Sequence, residues 1–334
     1  MINIGIICPS EIALRRFMPA LSKVKDFNFI GVAYADKSEW EGANDEIIEN
    51  EKIKASLFVE QYGGKLFNSY SSLINSNEVD AIYFPLPPSL HYYWGKKALL
   101  SGKHILLEKP ATTKIEDTID IIETARNNNL AVHENYMFIF HNQITEINNI
   151  ISSGKIGDVR LYRISFGFPR REKNDFRYIK KLGGGALLDA GGYTIKYASM
   201  LLGGKSKIVQ AKMNYIDEFD VDIFGSAVLM NENGTIAQIS FGMDNSYKCD
   251  LEVWGSKGSL FSGRVLTAPE GFIPEIEIKI GNDIELISLT SDDAFMKSIQ
   301  YFQKTIINNI VRNDNYLSIT KQASLIDEFL SNNN

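Results

Sequence analysis

Apolar residues follow two textures along this chain. From the N-terminus to about residue 135, short, largely apolar runs alternate with stretches in which apolar positions recur every three or four residues. Such runs fit strands buried on both faces, and the three-to-four spacing fits the helices that cover them. The pattern predicts strands at Ile2–Ile7, Phe27–Ala33, Ala81–Phe84, His104–Leu107 and Leu130–His133. Between them it predicts a helix from Ile12 to Val24, one ending at Val59 and Tyr62 before Gly63-Gly64, one from Ser89 that Gly102 closes, and one over Thr112–Asn127. Pro85-Leu86-Pro87-Pro88 cannot extend the strand before it, because proline lacks the ladder donor.

Beyond Gly154 the period shortens to strict alternation. Strands are predicted at Val159–Phe166, Ser226–Leu229, Thr235–Phe241, Asp250–Trp254 and Glu275–Ile280, with turns at Asn233-Gly234 and Gly255-Ser256-Lys257-Gly258. One helix, around Gly191–Leu202, interrupts them, and helical spacing returns over Ala294–Ile310 and Thr320–Leu330. The fold class that follows is α/β, a Rossmann-type doubly wound parallel sheet over residues 1–130, joined to an α+β domain over 131–334 with an open, mostly antiparallel sheet.

Bulk properties narrow the partners. A chain of 334 residues exceeds what one core organises, and 44% hydrophobic with 23% charged residues is a folding composition. The net charge of -6 gives no basic footprint, so nucleic acid is not an expected partner. Two widely separated cysteines, Cys8 and Cys249, fit a reducing compartment. The apolar start lacks a basic flank and soon meets Pro9, Glu11 and Arg15-Arg16, so it reads as neither leader nor membrane span, and a cytoplasmic protein is expected. His91, His104, His133 and His141 lack paired ligand spacing, two cysteines cannot build a thiolate centre, and no G-x-S-x-G elbow occurs, so neither a metal site nor a serine hydrolase is expected.

The first strand-turn-helix is where a dinucleotide pyrophosphate would rest, on free amides and a helix dipole. In register with G-x-G-x-x-G/A the chain reads Cys8-Pro9-Ser10-Glu11-Ile12-Ala13, so only the last position conforms. Cys8 and Ser10 are small enough to admit a phosphate, Glu11 brings a negative charge, and an ordinary turn is the competing reading. After the second strand, Tyr34-Ala35-Asp36-Lys37 carries no clean ribose selector: Asp36 comes late for NAD, and Lys37 faces either a 2′-phosphate or water. Glu108-Lys109-Pro110 follows the His104–Leu107 strand, at the sheet edge where such folds bind ligands, and an ammonium there can polarise a carbonyl; a surface lysine beside a loop proline is the alternative. Farther on, a glycine run precedes a helix with Asp189 and Tyr193 four residues apart on one face, residues that also suit capping and half-burial.

Together these segments resemble the glucose-fructose oxidoreductase and inositol dehydrogenase family, Gfo/Idh/MocA, over nearly the whole chain. The likeness is carried by Tyr83 to His91, Glu108-Lys109-Pro110, Glu134-Asn135-Tyr136-Met137 to His141, Gly154 to Val159, Asp175-Phe176-Arg177, Asp189 to Tyr193 and Trp254 to Gly258. The resemblance implies an enzyme moving a hydride between NADP or NAD and a sugar, keto-sugar or cyclic polyol, free or nucleotide-linked, in a homodimer or homotetramer. It implies that Cys8, Pro9, Ser10, Glu11, Ile12, Tyr34, Ala35, Lys37, Pro85, Leu86, Pro87, His91, Glu108, Lys109 and Asn135 line the cofactor. Tyr193 stands where many relatives have histidine, which resembles the sugar ketoreductase and dihydrodiol dehydrogenase branch, where lysine and tyrosine share the acid-base work. Lys109 and Tyr193 are then the catalytic pair, Asp189 a holder of substrate hydroxyls, and Phe176 and Arg177 pocket residues. The absent acid after the second strand tilts the choice towards NADP. A catalytically silent cofactor-binding or regulatory protein, motivated by the lost glycines, is the competing function.

Overall fold

The structure, a computed structural model, describes residues 1–333. The chain forms two compact units, one of Met1–Asn135 with Ser298–Thr320, the other of Tyr136–Lys297 with the described residues from Lys321 onward.

In the first unit, β1 (Ile2–Ile7), β2 (Phe27–Ala33), β3 (Lys65–Phe67), β4 (Ala81–Phe84), β5 (His104–Leu107) and β6 (Val132–Glu134) form one parallel sheet in the order β3-β2-β1-β4-β5-β6. The order reverses direction at β1, the switch point at which doubly wound sheets bind ligands. Every residue of β4 is buried, as its unbroken Ala-Ile-Tyr-Phe demands. A short helix α1 (Met18–Leu21) follows β1 through a wide π-type turn over Ala13–Phe17, and α2 (Asp45–Tyr62), α3 (Tyr70–Ile74), α4 (Pro88–Leu100) and α5 (Ile115–Asn127) complete the layers. The core runs from Ile7, Leu73 and Ile82 through Trp94, Ile105 and Ile121 to Tyr316 and Ile319 of the returning segment.

That return is anchored by polar contacts with the β6 region. Arg312 donates from Nη1 to the Asn129 carbonyl (2.8 Å), Asn315 donates to the Val132 carbonyl (2.6 Å), and Tyr316 donates to the Leu130 carbonyl.

The second unit opens with α6 (Asn142–Ser152) and is built on β7 (Val159–Gly167), β8 (Lys207–Asn214), β9 (Phe224–Met230), β10 (Ile236–Gly242), β11 (Lys248–Gly255), β12 (Gly258–Gly263), β13 (Glu275–Ile280) and β14 (Asp283–Ser288). Their order is β14-β13-β12-β11-β7-β10-β9-β8, antiparallel except for the β7–β10 pair. Side chains alternate between buried and exposed along β7 to β12, so one face packs on α7 (Gly192–Leu202) and the other is outward. The chain ends in α8 (Ala294–Ile307) and α9 (Asn309–Ser331). Sequence periodicity placed the last helix start at Thr320, whereas Asn308 ends α8 and its side chain accepts the Ile310 and Val311 amides, starting α9 earlier. Among the described residues no helix is long and apolar enough to cross a membrane.

Candidate active site

The cofactor candidates of the first unit cluster where its strands end. β1 runs into Cys8, whose φ of 74° is the left-handed conformation that the first glycine of a dinucleotide loop adopts. The turn is fixed by the Cys8 amide donating to the Ala33 carbonyl (3.0 Å) and the Ser10 amide donating to the Cys8 carbonyl (2.9 Å). Ser10 Oγ accepts the Ala13 amide (3.2 Å), as a helix cap does. The charge of Glu11 is drawn aside by Arg15, at 2.5 Å on the surface. A loop of this shape ending in free helix amides fits a pyrophosphate.

β2 ends at Ala33, and the selector loop behind it is tightly tied. Asp36 Oδ1 accepts the Ser38 amide and hydroxyl, both at 2.6 Å, bonds that hold its carboxyl below the usual aspartate range. Glu39 accepts the amides of Asp36, Tyr70 and Ser71, clamping the loop to the start of α3. Lys37 reaches out to Asp45 at 2.8 Å.

β4 and β5 supply the next two loops. His91 lies with Nδ1 2.9 Å from the Pro110 carbonyl and Nε2 2.9 Å from the Leu86 carbonyl, stapling the Pro85–Pro88 turn to the residue after Lys109. Burial holds this imidazole below the ordinary histidine range, and a neutral ring has one N–H to share between the two carbonyls. Glu108 is the hub of a buried chain: Oε1 accepts the Tyr83 hydroxyl and the Asn135 amide, each at 2.7 Å, while burial pushes its pKa up. Asn135 in turn accepts from Ser298 Oγ at 2.8 Å, and Ser298 meets His133 Nε2 at 2.8 Å. Lys109 thus leaves a strand end whose neighbouring carboxylate is immobilised from two sides. A cis peptide joins it to Pro110.

In the second unit, Asp189 lies in a wide π-type turn over Leu187–Gly191 that leads into α7, a feature common at functional sites. Asp189 Oδ2 accepts Arg177 Nε at 2.8 Å, and Arg177 Nη1 reaches Asp175 at 3.1 Å. The guanidinium lies 4.6 Å over the Phe176 ring, and the two carboxylates strengthen its hold on its proton against burial. Tyr193 is 8% exposed and sits among Tyr136, Phe138 and Phe166, with ring centroids 5.2, 5.8 and 5.3 Å away. The helix beside it is fixed at Gly192: a β-carbon there would stand 2.2 Å from Tyr136 Oη, and Gln322 donates to the Gly192 carbonyl at 2.8 Å.

The structure places Phe176, Arg177, Asp189 and Tyr193 in one unit and the cofactor candidates with Lys109 in the other, Asn135 among them although the expected boundary at residue 130 puts it with the second domain. Sequence reasoning missed Tyr83, His133 and Ser298 as supports of Glu108, and Asp175, Tyr136 and Gln322 as supports of the second set. Tyr83 and Tyr136 stood inside quoted motifs; Ser298 and Gln322 lie far along the chain and carry no local signal. Among the described residues no group of three His, Cys, Asp or Glu side chains is placed to hold a metal.

A switch-point sheet with a glycine-type turn and a lysine at a neighbouring strand end is the arrangement of a dinucleotide-binding fold with a charged group at its binding edge. Comparison with known proteins makes the class specific: residues 14–136 match the oxidoreductase family with an NAD-binding Rossmann fold, and residues 144–261 match the GFO/IDH/MocA C-terminal domain. The chain belongs to the Gfo/Idh/MocA family of NAD(P)-dependent oxidoreductases. It is 34% identical to the dTDP-3,4-didehydro-2,6-dideoxy-alpha-D-glucose 3-reductase of Actinomadura kijaniata over 98% of this chain and 94% of that protein. The enzyme of the same name from Saccharopolyspora spinosa is 32% identical over 98% of this chain and 96% of its own. Among solved structures, KijD10, a 3-ketoreductase from Actinomadura kijaniata in complex with NADP and TDP-benzene, superposes with a TM-score of 0.92 at 33% identity, covering 99% of this chain and 98% of that one.

Proposed function

We propose that this protein is an NADPH-dependent ketoreductase that reduces the 3-keto group of a nucleotide-linked keto-deoxysugar. The end-to-end similarity to the dTDP-sugar 3-reductases carries the reading. Variants of KijD10 have been solved with a tyrosine replaced by phenylalanine and with a lysine replaced by alanine, and the separation of those two positions equals that between Lys109 and Tyr193.

Bound nicotinamide supplies the hydride that this chemistry needs. The Cys8 to Ile12 turn would hold the pyrophosphate on its amides, and Tyr34, Ala35 and Lys37 would meet the ribose. The Pro85 to His91 loop, with Glu108 and Asn135, would shape the wall for the ring. Lys109 polarises the C3 carbonyl, and the Tyr193 phenol delivers the proton that converts the oxygen to a hydroxyl, then recovers one from solvent. A lysine ammonium in that role lowers the cost of charge on the carbonyl oxygen and on the phenol. Asp189 accepts from a sugar hydroxyl while Arg177, 2.8 Å from its Oδ2, holds the side chain in place.

Turnover of a dTDP-linked 3-keto sugar with NADPH and with NADH tests this directly. Tyr193→Phe is expected to lower turnover by about a hundredfold or more while NADPH titrated by fluorescence binds as tightly as to wild type. Tight NADPH binding by wild type with no turnover of any keto-sugar in a panel favours the silent cofactor-binding reading instead.

A further inference from the structure

We infer that Asp222 is a positioning residue for the reaction: its carboxylate pins the first turn of the helix that carries Asp189 and Tyr193. The inference rests on the proposed reading of Tyr193 as the proton donor.

Asp222 lies in the segment before β9, distant in sequence from that helix, and is 8% exposed. Its Oδ2 accepts the Leu187 amide at 2.7 Å, and its backbone carbonyl accepts the Ala186 amide at 2.9 Å. The first amides of a helix have no partner within it, and here no local side chain caps them. Asp222 does from the segment before β9 what a neighbouring serine or aspartate does elsewhere.

A second observation is independent of those bonds. Gly185 adopts a φ of 119°, and a β-carbon on it would lie 2.3 Å from Asp222 Oδ1. The last glycine of the Gly183-Gly184-Gly185 run is thus the one residue type that admits the carboxylate against the chain. Gly185 also accepts the Asp189 amide at 3.1 Å and donates to the Arg177 carbonyl at 2.9 Å, so the clamp reaches Asp189 and Arg177 as well. A carboxylate facing a helix N-terminus is favoured by the dipole. Burial nevertheless pushes its pKa up to about 6 against the pull of the amides, and Tyr215 is the titratable neighbour that feels its charge. Such a costly group is retained where geometry matters, because a displacement of about 1 Å at a reacting group can cost a hundredfold in rate.

The test compares Asp222→Ala, which removes the acceptor, with Asp222→Asn, which keeps one, in the full chain with NADPH and a dTDP-linked 3-keto sugar. Asp222→Ala is expected to lower turnover about ten- to a hundredfold with the KM for NADPH unmoved. Asp222→Asn keeps most of the turnover, and adding Asp222→Ala to Tyr193→Phe lowers turnover by a smaller factor than Asp222→Ala does alone. Equal proportional losses in both backgrounds, or equal losses from both substitutions, overturn the inference. If Asp222→Ala does not fold, Gly185→Ala displaces the carboxylate instead and is expected to produce the same loss. Hydrogen exchange at the Ala186 and Leu187 amides reads the clamp without turnover: faster exchange in Asp222→Ala than in Asp222→Asn supports it and equal exchange overturns it. An inactive wild type would count against the ketoreductase reading alone.

Discussion

Replacing Arg177 by glutamine tests how the second unit keeps two carboxylates close together. The guanidinium is 22% exposed and bridges Asp189, 13% exposed, and Asp175, 19% exposed. Its loss leaves both acids facing one poorly solvated gap. Removing one partner of a fully buried pair costs about 3–5 kcal/mol, and partial exposure here lowers the expectation to about 2–3 kcal/mol. For a unit of this size that corresponds to a fall in Tm of about 5–10 °C. Asp189→Asn alone removes a charge whose partner keeps Asp175, so it costs less, and the double substitution is less destabilised than the sum, by about 1–2 kcal/mol. Urea and thermal unfolding of the four proteins measure that coupling. Singles that move Tm by under about 2 °C, or effects that simply add, would show that the cluster is a solvated surface arrangement and that Arg177 does not hold Asp189.

Two further perturbations probe the first unit. His104 accepts the Ala131 amide on Nδ1 (2.8 Å), and burial lowers its pKa to about 4 from 6.5. The folded state therefore resists protonation that the unfolded chain accepts, so this stability is complete above pH 6.5 and is lost as pH falls towards 4. His104→Asn keeps an acceptor and should shrink the acid-side loss by about 2–3 kcal/mol in urea unfolding at pH 7 and 4.5; an unchanged difference between the two pH values refutes it. At Cys8, whose φ is 74°, glycine should be more stable than alanine by about 1 kcal/mol, the reverse of the order in strands and helices. Denaturant midpoints of Cys8→Gly and Cys8→Ala read the sign, and alanine above glycine would mean that the left-handed turn is not strained.

The sheets were legible wherever burial imposed a period. β1, β4 and β5 are buried runs with no choice of face, and β7 and β10 alternate because one side meets α7 and the other does not, as β11 alternates beside them. β14 escaped because five of its six residues are exposed, which leaves no pattern to read. β3 escaped because three residues make no period. The helical return of Ser298–Thr320 to the first unit was invisible for another reason: periodicity reports which face of a helix is buried but not what buries it. The same limit applies to the candidate site. Lys109 and Tyr193 announce themselves through their neighbours in sequence, whereas Ser298, Gln322 and Asp222 act through hydrogen bonds on segments more than thirty residues away.

The Cys8 turn shows why a missing motif weakly opposes function. Glycine in the dinucleotide fingerprint stands for a backbone requirement, a positive φ at the strand end, and for the space that an absent side chain leaves. Here the first requirement is met by a cysteine, held at φ 74° by amide bonds to Ala33 and from Ser10. Its thiol is drawn into the unit, packed against the core around Tyr70 and Leu73 and pushed by burial up to a pKa of about 12, so it stays uncharged rather than opposing a phosphate. Ser10, at the second glycine position, turns its hydroxyl to the Ala13 amide. The departure from glycine that motivated a silent protein therefore removes conformational freedom from the turn without removing its shape, and the case for silence must be sought in turnover, not in the fingerprint.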